Sequence, residues 1–125
     1  MDPPNSKPET RHDAYQWLLQ NPHPTPLAAN RFCTAASALE FVQRLYGAGA
    51  VSVTVPSSAI EVEEWQEGEE QAWHRGEYAD TLEVVLPFDP LPRSAVFVLC
   101  PNEVQREEGR VLTDQGQKSI QIWWD

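Results

Sequence analysis

Residues 37–55 constrain the fold more than any other part of the chain. The segment SALEFVQRLYGAG begins with Ser37 and has Glu40 three positions later, which is the spacing of a capping box. A single apolar stripe then recurs at helical spacing through Leu39, Val42, Leu45 and Tyr46. Gly47 is predicted to end the helix in a left-handed conformation. The β-branched run AVSVTV that follows predicts a strand.

A strand is also predicted before this helix, at residues 28–33. Strand, helix and strand within so few residues indicate a right-handed crossover between parallel or nearly parallel neighbours. This unit is the part of the fold that the sequence predicts most directly.

The N-terminal region predicts a flexible tail over residues 1–10 and a helix over residues 11–20. Thr10 can cap this helix, and Ala14, Trp17 and Leu18 share one face of it. The segment NPHPTP then ends the helix, because its three prolines remove amide donors and favour extended backbone.

The second half of the chain predicts a strand at DTLEVVLP and a terminal strand at SIQIWW. Alternation in the terminal strand puts Trp124 on the same side as Ile120 and Ile122, so Trp124 is predicted to be buried and Trp123 exposed. Residues 93–108 fit either a helix or a strand with a turn behind it. We favour the helix, because it makes the second half repeat the first, with Gly109 at its end.

Together these elements predict a single α+β domain over residues 11–125. The expected architecture is a split βαβ, ferredoxin-like sheet with helices on one face, plus the N-terminal helix. Its open face would be covered by the first helix, by a partner or by a second copy of the chain.

The net charge of −10 is concentrated in one segment. Residues 61–89 contain one base, Arg75, against ten acids: Glu61, Glu63, Glu64, Glu67, Glu69, Glu70, Glu77, Asp80, Glu83 and Asp89. Direct binding to nucleic acid or to an anionic membrane is therefore not expected, because both require clustered lysine and arginine. A polar, proline-rich N-terminus without an apolar stretch predicts a cytoplasmic protein. Cys33 and Cys100 are expected to be buried and unreactive.

Residues that could support catalysis or bind a metal are sparse. The three histidines, His12, His23 and His74, show no metal-ligand spacing, so neither a metal nor a cofactor is predicted. No nucleophile elbow is present, and the glycines of YGAGAV follow a helix instead of preceding one, as a phosphate loop would require. We therefore predict no catalytic residues.

The acidic segment permits two interpretations. In the first, it is a solvated hairpin or loop whose charge keeps the protein soluble. Equally, in this interpretation, it can be an edge strand through residues 58–64 that continues the sheet and is protected from aggregation by its charge. It can also be a binding patch, because aromatic anchors inside one sign of charge suit an oppositely charged protein surface. The predicted partner-binding residues are Glu61, Glu63, Glu64, Trp65, Glu67, Glu69, Glu70, Trp73, Tyr78 and Asp80.

The second interpretation predicts a small acidic module, of inhibitor or adaptor type, that binds a basic protein partner such as a nuclease. Acidic immunity proteins that neutralise basic toxins have the same size and charge, although this likeness is only an analogy. Two alternatives stay open. One is an assembly subunit that pairs through its sheet face or edge, for example as a homodimer. The other is a small enzyme that uses a carboxylate or His74 in a pocket.

Overall fold

The computed structural model describes residues 10–68, 72–108 and 113–124. The helices are α1 (Ala14–Gln20), α2 (Ala35–Ala48) and α3 (Pro90–Glu108). The strands are β1 (Arg11–Asp13), β2 (Ser52–Pro56), β3 (Glu61–Glu67), β4 (Ala72–Tyr78), β5 (Thr81–Val85) and β6 (Ser119–Trp123). Of the predicted tail, only Thr10 is among the described residues. Glu69, Glu70 and Gly109 also lie outside the described ranges.

Four strands form the main sheet in the order β1-β2-β5-β6, and every neighbouring pair is antiparallel. Strands β3 and β4 form a separate antiparallel hairpin. The helices pack on one face of the main sheet, whose buried side chains are Val53, Val55, Leu82, Val84, Ile120 and Ile122. The α+β class is confirmed, with three α-helices and two antiparallel sheets among the described residues.

The terminal strand closes the core with an aromatic cluster. Trp124 is 1% exposed, and its ring centroid lies 5.3 Å from that of Phe32 and 6.1 Å from that of Phe41. Its neighbour Trp123 is 49% exposed. The prediction that alternation buries Trp124 and exposes Trp123 is therefore confirmed.

Helix α1 begins later than predicted. Asp13, not Thr10, caps it, and its carboxylate accepts a hydrogen bond from the amide of Gln16 at 2.9 Å. Residues before this cap pair with β2 as the short strand β1. Just beyond the end of β1, the amide of Val53 in β2 donates a hydrogen bond to the hydroxyl of Tyr46 at 3.0 Å, in the position where a strand residue would otherwise accept it. Burial and the hydrogen bond to Asp13 raise the pKa of Tyr46.

Helix α2 extends beyond the predicted limits at both ends. Thr34, not Ser37, is its N-cap and accepts from the amide of Ser37. Gly47 is helical, and the left-handed stop is Gly49, with φ of 118°. A Cβ at Gly49 would lie 2.6 Å from Cβ of Pro92, so the conformation and the packing against α3 both require glycine.

The predicted strand at residues 28–33 does not form. Ala28 has a positive φ of 41°, and its carbonyl accepts from the amides of Arg31 and Phe32, which makes a turn. Only Leu27 makes an isolated parallel bridge, with Ala79. No strand forms at residues 28–33, and β1, the strand that does precede α2, pairs antiparallel with β2. The described strands therefore contain no parallel crossover, and the split βαβ, ferredoxin-like topology is not confirmed.

Helix α3 confirms the helical interpretation of residues 93–108. The side chain of Arg93 binds Asp114 through two hydrogen bonds, at 3.0 and 2.7 Å, which ties α3 to the segment before β6. Of the two cysteines, Cys100 is buried and Cys33 is exposed, so the prediction for Cys33 is wrong. Within the part of the chain that is described, no helix has the length and apolar character needed to cross a membrane.

The ion pair between Arg93 and Asp114 should persist to strongly acidic pH. Hydrogen bonds from Arg93 and from the amide of Gly116 lower the pKa of Asp114 from 3.8 to about 2. Because this pKa is depressed in the folded state, the pair stabilises the fold above about pH 4 and this contribution is lost as the pH falls through about 2. Carboxyl ¹³C shifts over a pH titration should report a midpoint near 2, and a midpoint near 4 would contradict it. The Asp114→Asn variant identifies the Asp114 carboxyl resonance, because that signal is missing from its spectrum.

Candidate partner-binding hairpin

The register of the hairpin divides its side chains between two faces, because paired residues and alternate residues share a face. The inner face consists of Glu61, Glu63, Trp65, Glu67, Ala72, His74, Gly76 and Tyr78. The outer face consists of Val62, Glu64, Gln66, Trp73, Arg75 and Glu77. The predicted binding residues are thus split, and of those in the described part of the hairpin only Glu64 and Trp73 lie on the outer face.

The inner face packs on the proline-rich loop through His23, which is only 8% exposed. The ring Nδ1 accepts from the amide of Thr25 at 3.0 Å, so Nε2 carries the hydrogen and donates to the carboxylate of Glu63 at 2.7 Å. The imidazole centroid lies 4.9 Å from that of Trp65 and 5.9 Å from that of Tyr78. This single histidine therefore contacts both strands of the hairpin.

Gly76 allows this close approach. A Cβ at this position would lie 2.9 Å from Cβ of His23, 3.0 Å from its backbone nitrogen and 3.1 Å from the ring of Trp65. Sequence reasoning missed both Gly76 and His23 as residues that position the segment. An isolated glycine in a strand pattern, as in WHRGEY, was the available signal, because it often marks another backbone nearby.

Two of the predicted aromatic anchors, Trp65 and Tyr78, already make contacts within the protein. Trp65 is half-buried between His23 and His74, and its indole nitrogen is buried with no hydrogen-bond partner in the described structure. The hydroxyl of Tyr78 accepts from the amide of Ala29 at 3.1 Å. The expectation that both rings are free anchors is therefore corrected, since the loop after α1 covers them.

The outer face carries the exposed apolar surface of the hairpin. Trp73 is 68% exposed and Val62 is 52% exposed. Glu64 is exposed beside them, opposite the one base of the segment, Arg75. Glu77 is held to the body, because its carboxylate accepts from the indole nitrogen of Trp17 at 2.9 Å.

The remaining predicted residues within the described part of the chain are Glu61, Glu63, Glu67 and Asp80. Asp80 accepts from the hydroxyl of Thr81 at 2.9 Å and from the indole nitrogen of Trp123 at 3.2 Å, which ties it to the main sheet. Glu61, Glu63 and Glu67 are exposed. The prediction of a strand continuing the main sheet through residues 58–64 is wrong, because β3 pairs only with β4 among the strands described.

A groove of about 730 Å³ lies between β1, α1 and the outer face of the hairpin. Its two carboxylates have structural partners: Asp13 accepts from Gln16 and Tyr46, and Glu77 accepts from Trp17. His12 lines the groove with Nε2 3.2 Å from the hydroxyl of Ser57, whereas His74 lies on the inner face and is not in the groove lining.

Metal binding has no support in residues 10–68, 72–108 and 113–124, where no three His, Cys, Asp or Glu side chains are grouped to hold an ion. No family model, curated protein sequence or solved structure matches this chain. Any function must therefore be argued from the geometry of the site.

Proposed function

We propose that this chain is a cytoplasmic protein-binding module, of inhibitor or adaptor type, that binds a basic protein partner through the β3–β4 hairpin. One observation carries the proposal: Trp73 projects from the outer face with 68% of its surface exposed, diagonal to the exposed Glu64 and on the same face as the half-exposed Val62. Large exposed aromatic side chains with a polar surround have the composition of a binding hot spot.

The charge distribution supports a basic partner. The described part of the hairpin carries Glu61, Glu63, Glu64, Glu67 and Glu77 against Arg75 alone. Because β3 contains four of these acids and no base, its whole length presents negative charge. Such a surface attracts a positively charged partner and increases the association rate, an effect that weakens as salt is added.

A purely solubilising hairpin accounts for the acids but not for the apolar side chains. Charge that protects an edge from aggregation needs no exposed tryptophan, and exposing an indole ring opposes solubility. The docking through His23 and Gly76 also holds the outer face in one orientation. A preformed site of this kind loses less conformational entropy when it binds.

Trp73→Ala tests the anchor. We expect it to weaken binding of the partner by about 2 kcal/mol, or roughly 30-fold, because an interface tryptophan is commonly a hot spot. Its effect on the free energy of unfolding should stay within about 0.5 kcal/mol, since the side chain is exposed. Calorimetric titration and urea denaturation measure the two quantities.

Trp123→Ala is the matched control, since it removes another exposed tryptophan that lies on the main sheet. It should leave the partner's dissociation constant unchanged. Equal losses in the two variants would mean that Trp73 has no special role.

Assembly of identical chains is a second candidate function, favoured by apolar exposure away from the hairpin. Phe88, two residues before α3, is 99% exposed, and Leu91, in the first turn of α3, is 83% exposed. Light scattering over a range of protein concentrations, with Phe88→Ser beside the wild type, would measure any self-association and locate it there.

A further inference from the structure

No strand among the described residues lies beside the second edge of β3, and we infer that a basic, extended segment of the partner adds to β3 there as a third strand. This inference rests on the proposed function and specifies how the partner is held. Strand addition obtains its affinity from backbone hydrogen bonds and its selectivity from alternate side chains.

The edge of β4 is already covered near the body of the protein. The side chain of Asn21 donates to the carbonyl of Glu77 at 2.6 Å and accepts from its amide at 3.2 Å. Ala79, just beyond β4, accepts from the amide of Ala28 and donates to the carbonyl of Pro26, both at 2.9 Å. The loop after α1 thus occupies the position of a neighbouring strand.

These contacts also define which way the backbone of β3 points. Glu77 bonds to Asn21 with both its amide and its carbonyl, so it forms a non-hydrogen-bonded pair with Val62 opposite. The amide and carbonyl of Val62 therefore point away from β4, as do those of Glu64 two residues later. No described strand lies beside this edge.

The negative charge of β3 indicates which kind of segment would pair with its second edge. On the inner face of β3, Glu61, Glu63 and Glu67 occupy alternate positions, and opposite charges directly across two strands stabilise their pairing. A segment with lysine or arginine at every second residue matches this spacing. A second copy of the chain does not, because pairing β3 with itself would set glutamate against glutamate.

The hairpin also has a physical reason to accept another strand. A two-stranded ribbon is only marginally stable in water, and a third strand with a shared face adds to its stability. On the outer face, Val62 would lie directly beside the new strand, whereas Trp73 lies on the same face one strand further away, on β4. A partner that extends across this face can contact both the edge and the anchor.

The test uses the full ¹⁵N-labelled chain and an acetylated, amidated peptide of alternating lysine and threonine as the probe. Hydrogen exchange of the Val62 and Glu64 amides should slow by about tenfold or more when the peptide is bound, because both amides become donors to the added strand. A peptide N-methylated at alternate residues, which lacks the donors that would face β3, should bind about tenfold more weakly. The matching peptide of glutamate and threonine should not bind.

A variant tests the same edge from the protein side. Val62→Pro removes the outward amide without changing the charge or a bond to β4, and proline is tolerated at strand edges. It should weaken peptide binding by about tenfold, whereas Val62→Thr, which keeps the amide, should bind like the wild type.

Each contrary result overturns strand addition. If the N-methylated peptide binds as tightly as the parent, or if Val62→Pro binds normally, the basic peptide is recognised by side chains and only the proposed function survives. If neither basic peptide binds, the edge is not a docking site, and Trp73→Ala still tests the proposed function independently. If the Val62 amide becomes protected with rising protein concentration alone, the occupant is a second copy.

Discussion

Reversing Glu64 and Glu67 to lysine is expected to weaken binding of the basic partner by about 2–3 kcal/mol, or roughly 30- to 150-fold. Each reversal replaces an attraction across the interface by a repulsion. Both side chains are exposed strand residues that the fold does not require, whereas Glu63 is left in place because its carboxylate binds the buried His23. Calorimetric titrations at several salt concentrations should show the largest loss at low salt.

The matched control raises the net charge by the same amount at a distant site. Ala36, Glu40 and Gln43 lie on the exposed face of α2, and changing all three to lysine equals the charge change of the double hairpin variant. This control should retain the affinity of the wild type within about threefold. Its affinity should show the same change in salt dependence as that of the hairpin variant, because both have the same net charge. Equal losses in both variants would show that only the net charge matters.

Gly76→Ala is expected to lower the free energy of unfolding by about 2 kcal/mol, because overpacking a tight contact typically costs 1–3 kcal/mol. The added methyl group would meet the backbone nitrogen of His23 at 3.0 Å and the ring of Trp65 at 3.1 Å. The hairpin and the proline-rich loop must then move apart, so partner binding should weaken as well.

Urea denaturation measures this effect, with Gly47→Ala as the control. Nothing lies within 4 Å of a Cβ at Gly47, which is inside α2, so alanine there should stabilise the fold by about 0.5–1 kcal/mol. A Gly76→Ala variant as stable as the wild type would mean that the hairpin is not held by the contact with His23.

The elements that the sequence predicts well are those whose apolar pattern is long and regular. Helix α2, strand β5 and strand β6 were located because their core faces repeat over several residues, and the alternation around Trp124 was sufficient to assign its burial. The limits of α2 were misplaced because Thr34 and Ser37 are both good caps, and Gly47 and Gly49 are both possible ends.

Elements that depend on distant partners were not predicted. Strand β1 has the sequence RHD, which has no strand propensity, and it is extended because it pairs with the edge of β2. Residues 28–33 contain apolar side chains typical of a strand, but the positive φ of Ala28 turns the backbone there.

The candidate site shows the same limit. Composition located the acidic segment, because charge follows from residue type alone. It did not distinguish Trp73, which is exposed, from Trp65 and Tyr78, which are partly buried. It gave no indication that His23, forty positions before Glu63, would pack on the inner face and partly bury Trp65 and Tyr78. Nor did it indicate that Glu64 would lie diagonal to Trp73 and on the same face as Val62, since this arrangement follows from the register of β3 with β4.

Capture from a lysate of the native source, with elution by a salt gradient, tests the central claim most directly. The wild type, the Glu64/Glu67 double variant, the α2 control and Trp73→Ala would be compared side by side, with the eluted proteins identified by mass spectrometry. We predict one basic protein that is retained by the wild type and the α2 control, elutes as salt rises, and is lost from both hairpin variants. The same proteins remaining bound to the hairpin variants, or no basic protein on the wild type, would contradict the account.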